Sequence, residues 1–309
     1  MFCYMLILQL LLNSEKMRRL FLLFTVVLLT SCAGQESDRN ANIITVSIAP
    51  YKYFVEAIAG DDFRINVMVP AGSNPHSYEP FPDQISKLRK SVAYISNGYL
   101  GFEVTWLDRF YETNRAMKKL SLAEGIEPLE SEHHHDGDHV EGADPHYWVS
   151  PKCAMIMAET VRDFLCAMKP EHKEKYDINY QKLAVKISDL DRKTQDFFRD
   201  FKGKQFMIYH PNLGYLARDY GLEEVPVEFE GKEPPPSRMR MLIDLSREKS
   251  MKTIFVQKEY DTKNARAIAD ETGAKIVIID PLSEDWLKAT SDIIDAVYLS
   301  FNESLNRAK

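Results

Sequence analysis

Cysteine is scarce, with four in 309 residues. Cys3 lies near the start, Cys32 follows an apolar run, and Cys153 and Cys166 fall in one expected helix. Thirteen helical residues separate that last pair by roughly 20 Å, whereas a disulfide needs Cα atoms within about 7 Å. No internal disulfide is expected, and both read as packing thiols. No stretch is apolar over the ~20 residues that a membrane-spanning helix requires. No Gly-Lys-[Ser/Thr] phosphate loop occurs, because Gly203-Lys204 is followed by Gln205 and Gly231-Lys232 by Glu233. The chain is therefore neither a membrane pump nor its ATPase. A His-Glu-x-x-His pair is also missing, which removes the commonest signature of a zinc hydrolase. There is no excess of basic residues: the formal net charge is -7. Lys16, Arg18 and Arg19 against Glu15 give the first 31 residues a charge of +2, which leaves -9 for the remainder. An acidic body argues against nucleic acid and is compatible with a cation ligand.

The composition that is there, 45% hydrophobic and 28% charged, is that of a soluble globular protein, and the length suits about two domains. Residues 1–31 read as a signal peptide: a basic Met17-Arg18-Arg19 precedes the apolar run Leu20 to Leu29. Residues 1–16 read as an upstream extension, with translation starting at Met17. Leu29-Thr30-Ser31-Cys32 resembles a bacterial lipobox, in which the cysteine thiol is acylated. Cys32 is thus the expected lipidation site, and residues 32–42 a polar tether.

Beyond the tether, β-branched runs alternate with amphipathic ones, which implies parallel βαβ units. Strands are expected at Ile43–Ile48, Phe63–Val69, Val92–Ser96 and Lys119–Leu122, with helices at Tyr51–Ala59, Pro82–Lys90 and Phe102–Thr113. A loop without periodicity, Glu124 to Asp144, carries Glu132-His133-His134-His135-Asp136-Gly137-Asp138-His139. Loops of that length are functional or disordered. Pro151–Met168 reads as a helix. Glu171 to Phe201 then carries an apolar stripe at steps of three and four: Tyr176, Tyr180, Leu183, Ile187, Leu190, Thr194, Phe197 and Phe201. It is either a coiled-coil dimerisation helix or a connector between two lobes, and the βα-rich halves on either side favour the connector. The second half repeats the pattern, with strands at Gln205–Tyr209, Glu224–Phe229, Lys252–Gln257 and Lys275–Ile279. Its helices are Pro211–Tyr220, Arg238–Lys249, Ala265–Thr272 and Trp286–Ser304. The expected fold is α/β: an N-terminal lobe over 43–168, a connecting helix over 171–201 and a C-terminal lobe over 203–309.

Four residues occupy equivalent places in this scheme. His76 follows the second strand, His146 follows the long loop, His210 ends the first strand of the second half and Asp280 ends the last. Ligands of open α/β sheets bind outside the carboxyl ends of the strands, so three imidazoles and a carboxylate could meet in the cleft between lobes. Spacing alone leaves the bland alternative open, in which the histidines are surface residues and Asp280 starts a turn with Pro281.

Four segments carry a resemblance that decides between these. Asn74-Pro75-His76-Ser77-Tyr78-Glu79-Pro80, Asp144-Pro145-His146-Tyr147-Trp148-Val149-Ser150-Pro151, Tyr209-His210-Pro211-Asn212-Leu213-Gly214-Tyr215 and Ile279-Asp280-Pro281-Leu282 resemble, in order, motifs of bacterial zinc and manganese ABC-transporter substrate-binding proteins. The resemblance runs from Ile43 to the C-terminus. It implies two lobes, each a small parallel sheet with surrounding helices, joined by one long rigid helix. It also implies His76, His146, His210 and Asp280 as metal ligands. Manganese-type relatives typically have glutamate at the third position, so His210 resembles the zinc-type branch, and imidazole suits zinc better than manganese. The loop with His133, His134, His135 and His139 resembles the accessory metal loop of zinc-binding members. Glu230 to Ser237, with three consecutive prolines, resembles a rigid stretch that shapes the family's cleft.

The function so implied is extracytoplasmic capture of Zn2+ and its delivery to an ABC permease and ATPase. The receptor is expected to be monomeric, not an enzyme, and anchored by lipid on the periplasmic or cell-surface side. The alternatives are a manganese or other divalent-metal receptor, a metal-binding surface adhesin, and a metallohydrolase. Glu79 is the nearest candidate base for the last.

Overall fold

The computed structural model describes residues 42–70, 72–130, 142–228 and 232–306. The signal segment, Cys32, the tether up to residue 41 and the loop His133 to His139 lie outside the described residues.

Ile43–Ile48 forms β1, whose last five residues are all buried, as expected of a parallel strand covered on both faces. It is flanked by β2 (Arg64–Val69) and β3 (Ser91–Ser96), and β4 (Lys118–Ser121) completes a parallel sheet of order β2-β1-β3-β4. The crossovers are α1 (Ala49–Ala59), α2 (Pro82–Leu88) and α3 (Gly101–Thr113). α1 and α2 start with proline in the first turn, where its missing N–H would have no partner in any case. The second sheet has the same plan: β5 (Gln205–Ile208), β6 (Glu223–Pro226), β7 (Thr253–Gln257) and β8 (Lys275–Ile279), all parallel, in order β6-β5-β7-β8. Each sheet therefore has a point where the strand order reverses, next to β1 and next to β5.

Between the sheets run α4 (Pro151–Met168) and α5 (Lys173–Phe198). α5 has 26 residues, about 39 Å of helix. It packs on α1 and α4 of the first lobe. It also packs on α6 (Gly214–Tyr220) and α9 (Trp286–Asn306) of the second. α5 is thus the connector, not a free dimerisation surface. Its buried line is Tyr176, Tyr180, Leu183, Ile187, Leu190, Thr194 and Phe198. Phe198, one helical step beyond Thr194, takes the core position expected of Phe197. Phe197 is half-buried and stacks on Tyr298 with ring centroids 4.1 Å apart.

The remaining helices, α7 (Pro236–Glu248) and α8 (Lys263–Thr272), cover the second sheet. One continuous core fills the first lobe, the helix layer and one face of the second sheet, to which β5 contributes Phe206 and Ile208. The other face of that sheet has a smaller core of its own, entered by Met207 and Tyr209. This is the two-residue alternation of a strand buried on both sides.

Two boundaries bear on the site. The helix expected from Pro211 begins at Gly214. Residues 211–213 are irregular instead, with Glu224 Oε1 accepting the backbone N–H groups of Asn212 (3.0 Å) and Leu213 (2.7 Å). The strand expected to reach Phe229 ends at Pro226. Cys153 is buried, Cys166 half-buried, and both are free thiols.

Candidate metal site

His76 lies in the loop after β2. Its backbone N–H donates to Asn74 Oδ1 at 2.9 Å, a local turn of the kind asparagine favours. His146 precedes the short turn Tyr147–Val149 that leads into α4. Its backbone N–H and its Nδ1 both reach Asp144 Oδ1, at 2.8 and 2.7 Å. The carbonyl of Pro145 is gripped by Asn97 Nδ2 at 2.9 Å, and Tyr147 donates to the Asn97 carbonyl at 2.6 Å. Asn97 is fixed in turn by a buried carboxylate: Glu103 accepts the backbone N–H groups of Asn97 (3.0 Å) and Gly98 (2.7 Å). Burial pushes the Glu103 carboxyl up despite these bonds. Gly98 sits at φ +99°, a conformation that glycine adopts without strain.

His210 follows β5 at the order-reversal point of the second sheet. Its ring Nδ1 meets Glu228 Oε2 at 2.5 Å, and Tyr260 stacks on its face with centroids 4.8 Å apart and planes 15° apart. Gln257 holds the His210 backbone at both ends, accepting its N–H and donating to its carbonyl.

The two carboxylates fix the tautomers. An ionised carboxylate only accepts, so Nδ1 of His146 and of His210 carries the proton and Nε2 presents a lone pair. Those lone pairs face His76: its Nε2 is 3.0 Å from that of His146 and 3.2 Å from that of His210. The trio is a group of nitrogen donors that could hold a metal ion. At a Zn–N distance of ~2.05 Å and tetrahedral angles, ligand nitrogens stand ~3.3 Å apart. The observed spacing is close to that edge, and ligand atoms of all three residues lie within 4.8 Å of one another. His146 and His210 are 4% and 5% exposed, so a bound ion would be largely withdrawn from water. Burial acts to raise the Asp144 carboxyl, but the neighbouring imidazoles and the two His146 N–H bonds outweigh it and hold Asp144 below the usual carboxylate range.

Three of the four expected ligands are brought together. The fourth, Asp280, follows β8 but lies outside this group. Its Oδ2 is 3.3 Å from Lys258 Nζ, and its side chain is 38% exposed. The carboxylate that lines the cavity is Glu259, raised above its ordinary range first by burial and then by repulsion from Asp280. Asp144 was visible within its motif, but its role was not. Glu228, Gln257, Tyr260 and Asn97 carried no signal, because their partners are 18 to 50 residues away in the chain. The rule that a ligating histidine hands its other N–H to a carboxylate predicts such partners but cannot name them from sequence. Glu79, the candidate base, is not among the cavity's lining residues.

Two parallel-sheet lobes joined by one helix, with imidazoles from both meeting at their interface, define a two-lobed metal-binding protein. The sequence model of the family described as "zinc-uptake complex component A periplasmic" matches residues 44–299, and the chain belongs to that family. It is 27% identical over 299 residues to the zinc-binding lipoprotein AdcA of Streptococcus pneumoniae, covering 92% of this chain and 59% of the relative. The chain thus spans little more than half of that relative's length. It is 26% identical over 286 residues to the high-affinity zinc uptake system protein ZnuA of Bacillus subtilis, covering 87% and 89%. A crystal structure of ZnuA matches with a TM-score of 0.78 and 35% identity, over 84% of this chain and 99% of that one.

Proposed function

We propose that the protein is an extracytoplasmic receptor that captures Zn2+ between its lobes and hands it to an ABC permease and its ATPase for import. The observation that carries this is that the Nε2 atoms of His146 and His210, each ring oriented by a carboxylate, stand 3.0 and 3.2 Å from that of His76, with ligand atoms of all three residues within 4.8 Å of one another. The relatives named above are called zinc-binding or zinc-uptake proteins, and three imidazoles favour zinc over manganese. The ligand set is His76, His146 and His210. Asp280, expected as the fourth, is engaged by Lys258 in this arrangement. Among the described residues, no helix is long and apolar enough to cross a membrane. Membrane attachment would then fall to acylated Cys32, with the receptor a monomer. His133, His134, His135 and His139 would serve as a weak accessory loop.

Competitive titration with a chromogenic chelator tests the reading. Zinc should bind far more tightly than manganese, and His146→Ala or His210→Ala should lose at least about a hundredfold. Removing residues 133–139 should leave the tight site intact; if that deletion abolishes it, the ligand set is wrong. Because the imidazoles must be unprotonated to bind, affinity should fall from pH 7.5 to pH 5. Three imidazoles with an open fourth position is also the donor set of hydrolytic zinc sites. Turnover of an activated ester by the zinc-loaded protein, lost in His210→Ala, would favour that second reading.

A further inference from the structure

Three imidazoles leave a zinc ion one donor short of a tetrahedron. The oxygens around the cavity are mostly engaged. Gln257 has both ends of its amide on the His210 backbone, Tyr260 receives Asn74 Nδ2 at 3.3 Å, and the Glu259 carboxylate accepts its own backbone N–H; Asp280, next to the lining residue Pro281, is turned to Lys258. Asn212 is different. It lines the same cavity, is 3% exposed, and its Oδ1 is buried without a hydrogen-bond partner. Its backbone N–H, two residues beyond His210, is held by Glu224, which fixes the residue's main chain beside the site. Buried polar atoms in native proteins are nearly always paired, and an exception asks for an explanation such as an ion or a water.

We propose that Asn212 governs the fourth coordination position of the cargo metal, by accepting a hydrogen bond from a water molecule bound there. This rests on the receptor reading above. A neutral amide is not among the usual direct zinc ligands, whereas a metal-bound water is common and is a strong donor that needs an acceptor. The cavity offers about 20 Å³ to the centre of a water molecule, enough for one. With a dication on the imidazoles, the oxygen end of the amide is drawn toward the cavity and its nitrogen end away, and a half-turn about χ2 exchanges the two. Asn212 is therefore a positioning residue: it touches the ion through water and sets which metals, by geometry and hydration, the site accepts.

The test compares wild type with Asn212→Leu, Asn212→Ala and Asn212→Asp in three readouts. These are zinc affinity by chelator competition, the visible absorption spectrum of the Co2+-loaded protein, and the melting temperature of the metal-free protein. Leu and Ala should each lower zinc affinity about tenfold, the worth of one hydrogen bond to a charged centre, and should alter the cobalt spectrum. Neither should lower the metal-free melting temperature, because each removes an unpaired buried acceptor. Asp, which keeps the acceptor, should bind at least as tightly as wild type. The proposal is overturned if Leu and Ala leave affinity and spectrum unchanged. It is equally overturned if affinity and metal-free stability fall in parallel, which marks a packing role, or if Asp280→Asn alone alters the spectrum. If His210→Ala binds zinc as well as wild type, the receptor reading itself fails and takes this proposal with it; indifference at Asn212 in a His210-dependent protein removes only this one.

Discussion

His146 and His210 are useful donors because each has one nitrogen spoken for. Asp144 and Glu228 hold the Nδ1 protons, which aims both Nε2 lone pairs at His76. Asp144→Asn and Glu228→Gln keep the shape but give up the anion. Each should weaken zinc binding by about 10- to 100-fold, measured by chelator competition, with His146→Ala and His210→Ala costing more. Gly214 makes the Asp144 arrangement possible in a different way. A Cβ at that position would stand 3.2 Å from Asp144 Oδ2 and 3.4 Å from Leu129 Cδ1. Gly214→Ala should therefore reduce zinc affinity with little change in the metal-free melting temperature, since a carboxylate can shift by a few tenths of an ångström where a packed backbone cannot.

At the scale of elements, the start of α5 is tied to the first lobe by one carboxylate. Asp62 receives His172 Nδ1 at 2.6 Å and Lys175 Nζ at 2.8 Å. Burial acts to raise its carboxyl, but the bonds from Lys175, His172 and Tyr176 prevail and hold it at about 2. A carboxylate depressed in the fold stabilises it fully above its unfolded value of ~3.9, and that contribution fades as pH falls through ~4 toward ~2. Asp62→Asn should cost roughly 1–2 kcal/mol at pH 7, discounted because Lys175 is half exposed. By pH 3 about half of that difference should remain, as read from urea midpoints of the two proteins at each pH. Further along α5, Ile187 is wholly buried. Ile187→Ala should cost about 2–5 kcal/mol through the cavity it leaves, and the loss should appear in one transition, because the same core runs through the first lobe and the helix layer.

The lobes of the whole molecule are latched together beside the metal site. Trp148 Nε1 donates to the Pro281 carbonyl at 2.9 Å, and Trp286 Nε1 donates to the Trp148 carbonyl at 2.7 Å. Tyr215 adds a bond to the Asp144 carbonyl at 2.8 Å. Reciprocal buried bonds of this kind resist hinge opening, so metal capture here should need loop and side-chain movement more than rotation of whole lobes. Trp286→Phe leaves the Trp148 carbonyl unpaired and should lower stability by ~1–3 kcal/mol. Amide exchange in residues 146–150 should accelerate in that variant even with zinc bound, because the latch holds that segment closed.

Much of this was legible beforehand, for local reasons. β1 and β8 and the helix Pro151–Met168 fall where apolar runs and the first-turn proline place them, because strand and helix periods are written in consecutive residues. The connecting helix was equally plain: expected over 171–201, it runs Lys173–Phe198, and its last core position is Phe198 in place of Phe197. The site was half legible. Histidines at strand ends are visible in a sequence; which carboxylate stands behind each is not. Asp280 satisfied every local criterion, but in the folded chain its carboxylate reaches Lys258. Asn212, expected within the helix from Pro211, is buried by the fold at the cavity wall instead.

The sequence by itself determined the elements, the two-lobed α/β plan and the residues able to hold a soft-to-borderline cation, since these follow from hydrophobic period, turn chemistry and ligand type. Only the tertiary structure decided which of them meet. Convergence of His146 and His210 on His76 within hydrogen-bonding distance requires two sheets, a 26-residue helix and a tryptophan latch to be correctly placed at once. That is a property of packing over more than a hundred residues of separation, and no local pattern encodes it.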